Sequence, residues 1–140
     1  MSEKTTEAVV RAYIEACNGD DVDRVLSLLD RDIELHESAT LPGAVSAVGL
    51  EAVRRYLERF SAHWSSFHWE PLELRVSDDR AAVRARLRFV GRRSGVEVDR
   101  EWAYFFTVRD GKLLRQNGFD EMSDAIRALE AGDQGERPPE

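Results

Sequence analysis

Glu37 stands where an acid is least expected. In the stretch DIELHES, residues 32 to 38, apolar and polar residues alternate as they do along a half-buried strand, so Ile33, Leu35 and Glu37 share one side. A carboxylate turned toward apolar side chains loses hydration, and its charged form is disfavoured. It then accepts a proton near neutral pH better than a solvated acid does. That suits removal of a proton from carbon beside a carbonyl, with the negative charge developing on oxygen met by hydrogen-bond donors in a water-poor site. Two plainer readings stand beside this one: Glu37 ends a strand in bulk water, or it pairs with an arginine such as Arg54 or Arg100. Other reactive side chains form no constellation. His36 has the opposite parity, and His63 and His68 have no partner at ligand spacing, so no metal site is expected. The single Cys17 permits neither an internal disulfide nor a cysteine cluster for zinc.

The elements that must position Glu37 can be read from periodicity. A helix is expected over residues 4–18, with Val9, Val10, Tyr13, Ile14 and Cys17 at helical spacing, and NGDD ends it. A short second helix over 21–29 gathers Val22, Val25, Leu26 and Leu29 on one side before the strand that carries Glu37. ATLPGAVSAVG reads as a loop or short hairpin around Pro42 and Gly43, with Gly49 starting a third helix. On that helix Val53, Leu57, Phe60 and Trp64 make an apolar stripe, while Glu51, Arg54, Arg55, Glu58 and Arg59 mostly face water. From residue 67 the period becomes two. Strands are expected over 67–77, 80–91, 96–109 and 112–119, joined by turns tight enough for a meander. In AAVRARLRFVG, Val83, Ala85, Leu87 and Phe89 face one way and Arg84, Arg86 and Arg88 the other. With Arg92 and Arg93, that stripe reads as a solvated sheet face meeting Glu70 or Glu73, or as part of a dimer interface. A last helix over 121–130 precedes residues 131–140, AGDQGERPPE, which are expected to be a disordered tail.

Composition bounds the function. A chain of 140 residues, 42% of them hydrophobic, fits one domain over residues 1–130 with a single core. A net charge of -7 and a pI near 5.1 argue against a nucleic-acid partner. No apolar run is long enough to cross a bilayer, and MSEKTTEAVV lacks the order of a signal peptide, so no membrane partner and a cytoplasmic location are expected.

Three helices followed by a long antiparallel meander make an α+β domain. The order, the lengths and the segment YIEACNGDDVDRVLSLLDRDIEL resemble the nuclear-transport-factor-2-like (NTF2-like) superfamily, particularly ketosteroid isomerases and SnoaL-like polyketide cyclases, over residues 5–130. The resemblance implies a cystatin-like α+β roll, a curved antiparallel sheet wrapped around the N-terminal helices into a cone with an apolar pocket. It also implies residue roles. Tyr13 is similar to the isomerases' oxyanion-hole tyrosine, Asn18 to the asparagine that ends their first helix, and Glu37 to their catalytic aspartate. Tyr104 falls where the isomerases carry a second, acidic donor and the cyclases a histidine. The cyclases' catalytic acid falls on Gly118, with Asp120 as a displaced acid.

Together these set the expected site: Glu37 as base, with Tyr13 and Tyr104 as oxyanion donors. Trp102, Phe106, Gln116, Gly118, Asp120, Phe89 and Phe60 are the expected ligand contacts. For Tyr13 and Tyr104 the plainer alternative is core packing, and for Asp120 it is a cap on the last helix. The expected function is a cofactor-independent isomerase, cyclase or hydrolase/lyase acting on a small apolar carbonyl compound, or a non-catalytic ligand-binding or dimerisation module of the same fold. A homodimer through the outer sheet face is implied by the resemblance.

Overall fold

The computed structural model describes residues 2–131, so the expected tail lies almost wholly outside the described residues. Helix α1, Glu3–Cys17, starts where the Ser2 hydroxyl accepts the Thr5 amide, and it buries Thr6, Val10, Tyr13 and Ile14 along one face. Asn18 and Gly19 stop it, and the Asp21 carboxylate caps α2, Val22–Ser27. This helix is shorter than its sequence pattern suggests, because Leu29 turns away into β1, Leu29–His36, where it pairs with Leu113. The segment read as a loop or hairpin includes β2, Ser46–Val48, paired antiparallel with β1. Gly49 then adopts φ of 89°, a left-handed value that favours glycine, and introduces α3, Leu50–His63.

The meander follows as expected: β3, Trp64–Ser77; β4, Arg80–Gly91; β5, Glu97–Arg109; and β6, Lys112–Phe119. Helix α4, Met122–Ala131, closes the described chain. The six strands lie in the order β2-β1-β6-β5-β4-β3, in a curved sheet that does not close. One junction is parallel: β1 runs alongside β6, which makes the sheet mixed. No described helix is long and apolar enough to cross a membrane.

Strand β3 begins three residues earlier than alternation indicates. Ser66, at φ of 56°, lies in a register shift between Ser65 and His68. This irregularity resets the two-residue rhythm, so Trp64, Phe67 and Trp69 all reach the same cavity. Strand β3 is a sheet edge, and Asn18 substitutes for a missing strand at Trp69. Its Nδ2 donates to the Trp69 carbonyl at 2.9 Å, and its Oδ1 accepts the Trp69 amide at 2.7 Å. Asn18→Ala leaves both backbone groups unpaired and is expected to lower the unfolding free energy by about 2 kcal/mol in urea titrations.

The sheet buries both faces unequally. On the concave side Val83, Ala85, Leu87, Trp102, Tyr104 and Phe106 pack with Val10, Tyr13 and Ile14 of α1. On the other side Ala82, Ala103 and Phe105 lie under Ala125 and Leu129 of α4. The arginine stripe therefore occupies only part of the outer face. Arg84 meets Glu101 at 2.9 Å and Glu73 at 3.5 Å, and Arg86 pairs with Asp99 through two bonds.

Candidate functional site

Glu37 lies one residue beyond the end of β1, yet its amide still donates to the Val45 carbonyl at 3.2 Å. The ladder with the β2 side thus continues, and with it the parity of Ile33 and Leu35. The carboxyl group faces the space between α1, α3 and the concave sheet. There it lines a cavity of about 140 Å³, a volume comparable to engineered protein cavities that admit a benzene-sized guest.

Two donors hold it. The Tyr56 hydroxyl of α3 donates to Oε2 at 2.9 Å, and Gln116 Nε2 of β6 donates to Oε1 over a long 3.5 Å. The Tyr13 hydroxyl of α1 donates to Gln116 Oε1 at 2.6 Å, so it fixes which end of that amide turns toward Glu37. Neither arginine weighed as a partner is engaged with Glu37. Arg54 bonds Asp23 at 2.9 Å, and the Arg100 guanidinium lies 4.5 Å from the centre of the Trp102 ring.

Burial pushes the Glu37 carboxyl from its ordinary 4.5 up to about 7, against the hydrogen bonds from Tyr56 and Gln116, which pull it down. Burial also raises the phenols of Tyr13, Tyr56 and Tyr104, and the nearby Glu37 charge raises them further, so all three remain protonated donors. The Cys17 thiol, one turn from Tyr13, is pushed up to about 12 by burial and stays a thiol.

The raised carboxyl has a stability consequence. A group whose folded pKa exceeds its unfolded value holds its proton more tightly when folded. It therefore costs nothing below about pH 4.5, and a penalty grows between 4.5 and 7. Above 7 the penalty is complete, at about 3 kcal/mol. Glu37→Gln is accordingly expected to unfold at higher urea than wild type at about pH 8, by roughly 1 to 3 kcal/mol, with the difference fading toward about pH 4.5. A gap that does not change with pH contradicts this.

Of the ten residues singled out in the sequence, five line the cavity: Glu37, Tyr13, Tyr104, Gln116 and Phe60. The Tyr104 hydroxyl makes no hydrogen bond to another described residue, and the ring lies 4.8 Å from that of Trp69 and 6.1 Å from that of Phe106. The other five sit elsewhere. Phe106 is packed behind Tyr13, and Phe89 against Trp64 and Phe60. Trp102 is buried with its Nε1 donating to the Thr40 hydroxyl at 2.9 Å. Gly118 pairs with Tyr104 across the ladder and lies against the backbone of Glu37 and Ser38. Asp120 is exposed, and its carboxylate accepts the Ser38 and Thr40 hydroxyls at 2.6 and 2.5 Å, a role different from the helix cap weighed for it.

Sequence reasoning passed over Tyr56, the closest donor to Glu37. The available signal was its position three residues after Val53, on the same helical face. It also passed over Trp69, whose ring touches Tyr13 and Tyr104.

An unclosed curved sheet with helices against its concave side and one helix behind it defines an α+β domain of the NTF2-like kind. The SnoaL-like domain profile matches residues 10–116, and the chain belongs to that family. Among solved structures, a putative polyketide cyclase from Xanthomonas campestris pv. campestris superimposes with a TM-score of 0.74 at 20% identity, covering 89% of this chain and 96% of its own. TerC, crystallised with polyporic acid, gives 0.72 at 17% identity over 89% and 97%. A protein of ketosteroid isomerase-like fold from Catenulispora acidiphila, in complex with trimethylamine, gives 0.72 at 14% identity over 94% and 97%. These likenesses establish the fold. No curated protein matches the chain significantly.

Proposed function

We propose that the chain is a small-molecule pocket protein that catalyses proton transfer on a small, largely apolar carbonyl compound, with Glu37 as the base. The observation that carries this reading is a buried carboxylate raised to about 7, facing a mainly apolar cavity beside a phenol with no partner among the described residues. Glu37 takes a proton from the carbon next to the carbonyl, and the electron pair moves to the carbonyl oxygen, which accepts a hydrogen bond from Tyr104. Protonated Glu37 then returns the proton at another carbon, giving an isomer, or the carbanion adds to a second carbonyl carbon of the same molecule, whose oxygen takes the electron pair and then the proton from Glu37, giving a ring. Tyr56 and Gln116 hold the carboxylate in line, and Tyr13 acts through Gln116 rather than on the substrate directly. Neighbours of this fold crystallised with polyporic acid and with trimethylamine support small organic molecules as ligands.

The same reading includes a cytoplasmic homodimer paired through the part of the outer sheet face that α4 leaves uncovered, where Arg84, Arg86, Asp99 and Glu101 lie. The test of the chemistry is solvent-deuterium uptake by a panel of small cyclic enones and aryl ketones. Uptake with wild type and none with Glu37→Gln supports it. Equal uptake by both, or uptake by neither across the panel, overturns it.

A further inference from the structure

Glu37 presents an imbalance that the proposed reaction does not use. Buried charges in proteins are ordinarily paired with an opposite charge, because removing an ion from water is costly. Glu37 is held by a phenol and an amide, both neutral. The arginines on the elements around it are engaged with other groups, and the one that lines the cavity stands at its outer part. Arg54 is bonded to Asp23, Arg115 lies 3.3 Å from Glu34, and Arg100 lies over Trp102. Arg92 is exposed, and its Nε donates to the Ser61 carbonyl at 2.8 Å.

The charged groups lining the cavity are the carboxylates of Glu37, Asp20 and Asp21 against the single guanidinium of Arg92, so the lining is negative on balance. Seven of the lining side chains are aromatic, among them Tyr13, Tyr56, Trp69 and Tyr104 at the Glu37 end. A neutral guest desolvates Glu37 further and brings no counter-charge. An anion is repelled. A compact organic cation supplies the absent counter-charge to the carboxylate and lays its alkyl groups, which carry the spread positive charge, on aromatic faces.

We infer that the cavity is a receptor for small organic ammonium ions, quaternary or fully substituted, with Glu37 as their counter-ion and the surrounding rings as their cage. This use of the cavity does not depend on the proton-transfer reading. An ammonium guest occupies the carboxylate that the reaction needs free, so it acts as a competitor of a carbonyl substrate.

The inference predicts a definite pH dependence. Around Glu37, α1 supplies the Tyr13 phenol and the Cys17 thiol, α3 the Tyr56 phenol and β5 the Tyr104 phenol. All four are held protonated by burial, while β6 contributes the uncharged Gln116. Glu37 is therefore the inner group whose charge changes between weakly acidic and weakly basic solution. The ammonium guest requires its ionised form, so affinity rises with pH.

The experiment is calorimetric titration of wild type with choline and with its neutral carbon isostere, in which carbon replaces the quaternary nitrogen. Choline is expected to bind on the order of tenfold or more tightly at about pH 8.5 than at about pH 5.5, and to displace roughly half a proton per site near pH 7, read from buffers of different ionisation enthalpy. The isostere is expected to bind at least about tenfold more weakly than choline at the higher pH. Glu37→Gln, checked for folding by its circular dichroism melt, is expected to remove the preference for choline. Should that variant fail to fold, the pH series and proton release on wild type decide the matter. No choline binding, equal or tighter binding of the isostere, or an affinity that does not rise with pH overturns the inference. Ketone deuterium uptake without choline affinity sinks this inference alone, and choline affinity without uptake sinks only the proton-transfer reading.

Discussion

Glu37→Gln is expected to lower the rate of solvent-deuterium uptake into an enolisable ketone by a factor on the order of a hundred to ten thousand, the usual contribution of a positioned general base. The amide replaces the carboxylate with almost the same volume and can still accept the Tyr56 hydroxyl, so the loss reports the missing proton acceptor rather than a collapsed wall. Under the proposed proton transfer, the wild-type rate is expected to follow the ionised fraction of Glu37. It is flat above about pH 7 and falls about tenfold per pH unit below it. Tyr56→Phe removes a hydrogen bond that pulls the carboxyl pKa down, so the whole profile moves to higher pH. A profile that stays put in Tyr56→Phe separates the carboxyl from the observed titration and assigns it to another group. NMR of the labelled Glu37 carboxyl checks the same shift without any substrate.

Gly118→Val is expected to destabilise the protein by about 2 to 4 kcal/mol in urea unfolding and to displace the Glu37 geometry in the folded fraction that survives. A side-chain carbon built on Gly118 lies 2.7 Å from the Ser38 amide nitrogen and 3.4 Å from the Glu37 Cα and carbonyl carbon. All three are backbone atoms, so no rotamer change clears the space, and the segment carrying the carboxyl must shift away from β6. The useful control is Gly19→Ala, whose added carbon meets only the Ala16 carbonyl oxygen at 3.5 Å, an ordinary contact expected to cost under about 1 kcal/mol. Equal losses for the two variants contradict the close approach at Gly118. The resemblance to SnoaL-like cyclases sets their catalytic acid at this glycine. Here the position is closed to any side chain by the approach of β6 to the Glu37 segment.

What the residues disclosed in advance, and what they concealed, follows from how local each signal is. The two-residue rhythm of β1 through β6 is a property of adjacent residues, and it marked the strands of the meander and the direction of Glu37. It failed at Ser66, because an irregularity is invisible to a rule that assumes unbroken alternation; Trp64 therefore read as the end of a helix rather than the start of a strand. The parallel pairing of β1 with β6 joins segments some eighty residues apart and is set by packing, so nothing local announces it. Tyr56 was hidden by a narrow apolar stripe drawn through Val53, Leu57 and Phe60, although its ring belongs to the same face. Asp120 looked like a helix cap from its neighbours in sequence, whereas Ser38 and Thr40 reach it from the loop that leaves the adjacent strand β1. Ala82, Ala103 and Phe105, apolar residues among charged ones on the outer parity, were a legible hint that α4 covers that face.

The loop leaving Glu37 is stitched down at several points: Ser38 and Thr40 to Asp120, Thr40 to the Trp102 indole, and the Glu37 amide to Val45. The opposite end of the cavity is built from the exposed residues Gly19, Asp20, Ser61 and Arg92. The cavity thus has an anchored inner terminus and an exposed outer rim. Under the proposed proton transfer, a substrate's bulk could extend past the rim while its carbonyl end stays beside Glu37, so one site would accept molecules of different overall size.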